Sequence, residues 1–257
     1  MTIKHILVHL DQAPHNRSRL AFALELAHRH GAFVSGCYLT NSPERQRTEA
    51  ELRGSFLEQT DARDLAAEWL SLPEAESRQA QNLDLCRLAC CADLIIVGQP
   101  DPHNNPKAAR ELIELLLLQS GRPVLILPYA GEFDPHCERV LVAWSGGRES
   151  SRALHDALPL LQKARQVNLL SLVAADASGT DVQDSLTLLC RHLVHHGIAA
   201  HPETQICLEV SKGDMLLNRC AEEGTGLLVA GACSREHLSE IAGHLLKHMT
   251  VPVLLAH

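Results

Sequence analysis

Hydrophobic residues along this chain gather in short aliphatic runs, separated by stretches in which apolar positions recur every three or four residues. Runs of this kind read as strands buried on both faces, and the stretches between them as amphipathic helices. In the first half, IKHILVHL (3–10), FVSGCYL (33–39), AAEWLSL (66–72), DLIIVG (93–98) and PVLIL (123–127) are the predicted strands. Ser18 is the expected N-cap of a helix through Leu20, Leu24 and Ala27, stopped at Gly31. Helical patterns also cover the polar stretch from Pro43 to Thr60 and residues 74–91. The second half repeats the plan. Predicted strands at ERVLVAW (138–144), VNLLSLV (167–173), TQICLEV (204–210), GLLVAG (226–231) and VPVLLA (251–256) alternate with helices. These helices are SSRALHDALPLLQKA (150–164), DVQDSLTLLCRHLVHHG (181–197), DMLLNRCAEEG (214–224) and HLSEIAGHLLKHM (237–249). Strands alternating with helices imply parallel, doubly wound α/β sheets.

The alternation hides a duplication. IKHILVHLDQ returns as ERVLVAWSGG, ADLIIVG as TGLLVAG, and GRPVLILP as TVPVLLAH. Val8 and Val142 are 134 apart, and Gly98 and Gly231 are 133 apart. A period this long is no solenoid; it means two copies of one globular domain. The expected domains are 1–130 and 138–257, joined by the Pro- and Gly-containing linker PYAGEFDPHCE (128–138).

Composition narrows the function classes. The formal charge is −8 with no basic run, which argues against a nucleic-acid surface. The longest aliphatic run, Leu115–Leu118 with its neighbours, is too short to span a bilayer. The first apolar stretch is interrupted by His9 and does not read as an export signal, so a cytoplasmic protein with nine reduced thiols is expected.

The repeated pieces resemble the universal stress protein family in its tandem form. The carriers are HLDQ closing the first strand, the glycines of LIIVG and LLVAG, Pro-Val-Leu in RPVLIL and VPVLLA, WSGGRESSRAL, VSKGD, and HLLKHMTVPVLL. The resemblance implies two Rossmann-like domains, each a five-stranded parallel sheet of order 3-2-1-4-5 flanked by helices. It also implies that they pair through their last strands as an intramolecular pseudo-dimer, with a further homodimer left open.

Nucleotide-binding members of that family use an Asp after the first strand and a Gly-x2-Gly-x9-Gly-Ser/Thr motif after the fourth. Here Asp11 and Gly98 stand in place, but Asp101 and Glu111 occupy the next glycine positions, and the loop QPDPHNNP (99–106) carries three prolines. Carboxylates repel phosphates. The second half keeps Gly231; Ser234 replaces the next glycine, Gly243 comes one residue early, and Ser145 takes the Asp position. The phosphate loops therefore read as degenerate, and no cofactor is required, ATP being the one the resemblance admits.

SGGRESS (145–151), with Ser145, Gly146, Gly147, Ser150 and Ser151, follows a strand and opens a helix, the setting of an anion-binding nest. It also resembles the Ser-Gly-Gly-x-Asp-Ser loop of ATP pyrophosphatases. As a plain turn, its Ser150 would be the helix cap. Lys212 and Gly213 of VSKGD are expected to face the same crevice. His192, His195 and His196, and His244 and His248, lie at helical spacing, read as solvated faces rather than metal ligands. Cys86, Cys90 and Cys91 read as buried, inert thiols, with redox sensing left open. No nucleophile elbow is present. The expected function is thus a non-enzymatic stress-response protein acting on a protein partner or small ligand. Adenine-nucleotide binding at one divergent site is the alternative, and pyrophosphatase chemistry at SGGRESS the third.

Overall fold

The computed structural model describes residues 2–39, 45–72, 77–174, 179–207, 211–234 and 237–257. The chain divides into two compact units, 2–135 and 136–257. Their pairing through edge strands stays an expectation.

The first unit runs β1 (His5–Leu10), α1 (Asn16–His30), β2 (Phe33–Tyr38), α2 (Arg45–Asp61), β3 (Ala67–Leu70), α3 (Arg78–Ala89), β4 (Leu94–Gly98), α4 (Pro106–Gln119) and β5 (Val124–Leu127). Its strands are parallel, in the order β3-β2-β1-β4-β5. Ile6, Leu7, Val8 and Leu10 are wholly buried, as a central strand covered on both faces requires. β1 pairs with β4 from Ile6 opposite Leu94 to Val8 opposite Ile96. Helix α1 buries Leu20, Phe22, Ala23, Leu24, Leu26 and Ala27 on the sheet and stops at Gly31, whose left-handed backbone returns its N–H to Ala27 and His28. At Gly36 in β2, an added Cβ would lie 2.9 Å from the Phe56 ring and 3.0 Å from Trp69. The two rings meet edge-on, with centroids 5.6 Å apart. The glycine admits the aromatic pair that fastens α2 to β2 and β3.

The second unit runs β6 (Arg139–Ala143), α5 (Arg148–Leu161), β7 (Gln166–Ala174), α6 (Gly179–His195), β8 (Ala200–Cys207), α7 (Lys212–Glu223), β9 (Leu227–Gly231), β10 (Cys233–Ser234), β11 (His237–Leu238), α8 (Glu240–His248) and β12 (Val253–Ala256). Its parallel strands lie in the order β8-β7-β6-β9-β12. Val142, Leu154, Leu169, Leu193, Leu228, Val229 and Val253 are buried at its centre.

Several boundaries differ from the sequence reading. His15, not Ser18, precedes α1, with no side-chain cap. The residues between DLIIVG and PVLIL, given no element from the sequence, form α4, which starts at Pro106 and buries Leu112, Ile113, Leu116 and Leu117. Gly147 precedes α5, and Ser150 lies inside its first turn, donating to the Gly147 carbonyl. Strand β8 begins four residues earlier than expected, at Ala200. The small antiparallel β10–β11 pair was not foreseen.

Candidate functional site

In an open parallel sheet, ligands collect where the strand order reverses, outside the carboxyl ends of the strands. The first unit has that point between β1 and β4, and the second between β6 and β9.

In the first unit, Asp11 leaves β1 at this point. Its carboxylate is gripped in a fork by Arg19, with Nη1 at 3.0 Å and Nη2 at 2.9 Å from Oδ2, while Nη1 also donates to the His9 carbonyl at 2.8 Å. Arg19 is 4% exposed. Burial pushes the Asp11 carboxyl up, but the Arg19 charge, then His9, the Ala13 N–H and the Arg19 hydrogen bonds outweigh it and hold it below the usual carboxylate value. The guanidinium also lies against Gly98, where an added Cβ would stand 2.7 Å from Nη2. The two residues read as a ligand cradle therefore enclose an internal ion pair. A cavity of 60 Å³ remains there, lined by Asp101, Leu112 and Tyr129 among others. A second cavity, of 190 Å³, opens beside it between the ends of β1 and β2 and helices α3 and α4.

In the second unit, Gly231 closes β9 against the first turn of α5. A Cβ there would come within 2.8 Å of the Glu149 backbone and 2.9 Å of the Ser150 nitrogen. The glycine turn before α5 is satisfied from within. Gly146 has φ of 73°, the Gly147 N–H donates to Ser145 Oγ at 3.3 Å, and Ser145 donates to Ser150 at 3.1 Å. Glu149 turns its carboxylate back toward Gly147, where a Cβ would stand 3.5 Å from Oε2. Ser151 N–H donates to the Gly147 carbonyl, and the Ser151 carbonyl lies 2.7 Å from His155 Nδ1. A crevice of 170 Å³ remains, lined by Trp144, Ser145, Glu149, Ser150, Lys212 and Gly231 among others. Trp144 is held by its indole N–H to Ser185 Oγ at 2.9 Å.

Gly213 packs beneath His244, where an added Cβ would lie 2.5 Å from the ring. The neighbouring Asp214 joins two groups: it accepts from Ser211 Oγ at 2.5 Å and meets His244 Nε2 at 2.9 Å. The Ser211 hydroxyl, and then, against an opposing desolvation, the hydrogen bond and charge of His244, keep the Asp214 carboxyl below its ordinary value. The sequence reading found no acidic partner for His244, because Asp214 is thirty residues away along the chain. This is no hydrolytic triad, since the carboxylate stands between serine and histidine and leaves the serine without a base.

Among the described residues, no group of three or more His, Cys, Asp or Glu is arranged to hold a metal. His192 sits between His155 and His196, tilted to the first and edge-on to the second, with centroids 5.0 and 4.7 Å away. Cys86 is buried, but Cys90 and Cys91 are exposed, contrary to the expectation that all three are buried. Burial, then Cys90, pushes the Cys86 thiol up to about 11, leaving it a poor nucleophile. Residues 208–210, which end the predicted strand TQICLEV and open VSKGD, lie outside the described residues, as does the side chain of Ser234.

The sequence reading missed Arg19. Its signal was available: with Phe22, Ala23 and Leu26 it lies at i, i+3, i+4 and i+7, so a cation occupies a core position of an amphipathic helix.

No family model matches the chain, and no curated protein matches it. Solved structures do. A universal stress protein from Archaeoglobus fulgidus superposes with a TM-score of 0.72 over 98% of this chain and 97% of its own, at 14% identity. A putative universal stress protein from Pseudomonas aeruginosa gives 0.64 over 99% and 93%, at 14% identity. The cytoplasmic domain of a prokaryotic cation chloride cotransporter gives 0.62 over 98% and 95%, at 11% identity. At these identities the likeness shows the fold: the chain has the Rossmann-like α/β fold of universal stress proteins. No helix among the described residues is long and apolar enough to cross a membrane.

Proposed function

We propose that this is a non-enzymatic stress-response protein of the universal stress protein type, cytoplasmic, acting by binding a partner or small ligand and not by hydrolysing ATP. The carrying observation is Arg19, whose guanidinium is committed to Asp11 and packed on Gly98, where a nucleotide-binding relative would need both residues free. Asp101 lines the same crevice and adds a carboxylate where phosphates would lie. In the second unit, Glu149 occupies the mouth of the glycine turn in the same sense. A thermal melt tests this reading. Millimolar ATP with Mg²⁺ is expected to leave the melting temperature unchanged, whereas a ligand at a hundred times its Kd adds about 2.7 kcal/mol. Release of pyrophosphate from ATP would overturn the non-enzymatic reading outright.

One observation favours a second reading, adenine-nucleotide binding by the second unit alone. Lys212 lines the crevice beside Trp144 and makes no ion pair among the described residues, so its ammonium is available to a phosphate. On this reading ATP would quench Trp144 fluorescence, and Lys212→Ala would abolish the quench.

A further inference from the structure

We propose that the groove between α5 and α6 of the second unit holds a divalent first-row transition ion, of the zinc or copper kind, on the Nε2 atoms of His155 and His192. It stands apart from both phosphate crevices and depends on neither reading of them. His192 carries it. Its ring lines a groove of 540 Å³, yet its Nε2 is buried and meets no hydrogen-bonding partner among the described residues. A buried ring nitrogen without a partner destabilises the fold unless something else satisfies it. In α6, His192 stands between Leu189 and Leu193, both buried, where an aliphatic side chain would pack without that cost. The sequence reading put it on a solvated face, because its partner His155 belongs to another helix.

The second donor is prepared for the role. His155 Nδ1 lies 2.7 Å from the Ser151 carbonyl, which can only accept, so Nδ1 carries the ring proton and Nε2 keeps its lone pair. Metal-binding histidines are held in the same way, the other ring nitrogen donating to a carbonyl. Two imidazoles on one tetrahedral ion, each nitrogen ~2.0–2.1 Å from it, have their ring centres about 5 Å apart. The His155 and His192 centroids are 5.0 Å apart. No Lys or Arg lines the groove, and Asp184 adds a carboxylate that favours a cation. Imidazole donors select zinc, copper or nickel over magnesium and calcium. No third His, Cys, Asp or Glu is placed to join the two among the described residues. Water therefore takes the remaining positions, and binding is weaker than at a four-ligand structural zinc. The His244–His248 pair has a like spacing, 4.6 Å, but His244 Nε2 is spent on Asp214.

The test titrates the full chain with Zn²⁺ and, separately, with Mg²⁺, read by imidazole ¹H–¹⁵N spectra and by calorimetry. Zn²⁺ is expected to shift the Nε2 resonances of His155 and His192 ahead of those of the other histidines, and Mg²⁺ to shift neither. His155→Gln and His192→Gln should each weaken Zn²⁺ binding tenfold or more, while His248→Gln leaves it unchanged. The variant at the half-buried His155 decides the matter if the His192 variant does not fold. The proposal is overturned if Zn²⁺ moves neither ring, if Mg²⁺ moves them as tightly, if His244 and His248 respond first, or if both variants bind like the parent. Loss of binding in His196→Gln alone would put the ion on the other side of His192 and overturn it as well.

Discussion

Single residues decide whether the crevices are open. Removing one partner of a buried pair leaves an uncompensated charge, which costs about 3–5 kcal/mol. Arg19→Met is therefore expected to destabilise the first unit by that order, discounted for the third of Asp11 that solvent still reaches, as read by urea denaturation. Gly231→Ala forces a methyl into backbone of the first α5 turn, not into a flexible side chain, so about 1–3 kcal/mol of overpacking is expected in the same assay. Gly98→Ala would press a methyl to 2.7 Å from the Arg19 guanidinium, which Asp11 and the His9 carbonyl hold in place, so a cost of the same order is expected. The sequence made Asp11 and Gly98 readable as candidates because their positions relative to the strands were plain. Their occupation by Arg19 was not, since a cation between Ser18 and Leu20 looks solvent-facing until the helix phase is drawn.

At the scale of elements, strands were more legible than helix ends. Long aliphatic runs leave few alternatives for β1, β4, β6 and β9, whereas the start of α1 depends on backbone geometry at His15 that no capping residue announces. Helix α4 escaped notice because its proline-rich approach obscured an amphipathic segment whose first position suits proline. Where α5 meets α6, His155, His192 and His196 crowd together. Desolvation first, then the charges of His155, His196 and His195, hold His192 below the 6.5 of a free imidazole. In the pH window between the two values the unfolded chain takes up more protons than the folded one. Stability is thus unaffected above 6.5 and declines as pH falls through it. An NMR titration of the His192 ring should give a midpoint under 6.5, and replacing His155 by Gln should raise it.

Across the whole molecule, each unit holds its own buried core, and protection against hydrogen exchange should follow it. Amides of β1, β4, β6 and β9 are expected to exchange last. Those of β3, with four half-exposed or exposed residues, and of β8, whose residues are all at least partly exposed, should exchange orders of magnitude sooner in a native-state experiment. The fold was legible through the duplicated strand pattern, yet it does not name the activity. The same fold serves a universal stress protein and the cytoplasmic domain of a cotransporter, so function has to be argued from the sites.

The Arg19–Asp11 fork has a consequence for what the first unit can sense. A guanidinium keeps its proton at every pH a protein survives, and its carboxylate partner is held ionised to below the ordinary acid range. Acidification within the cell's range leaves both members charged and the clasp shut. The clasp itself is therefore blind to protons, and what opens it has to arrive as a molecule.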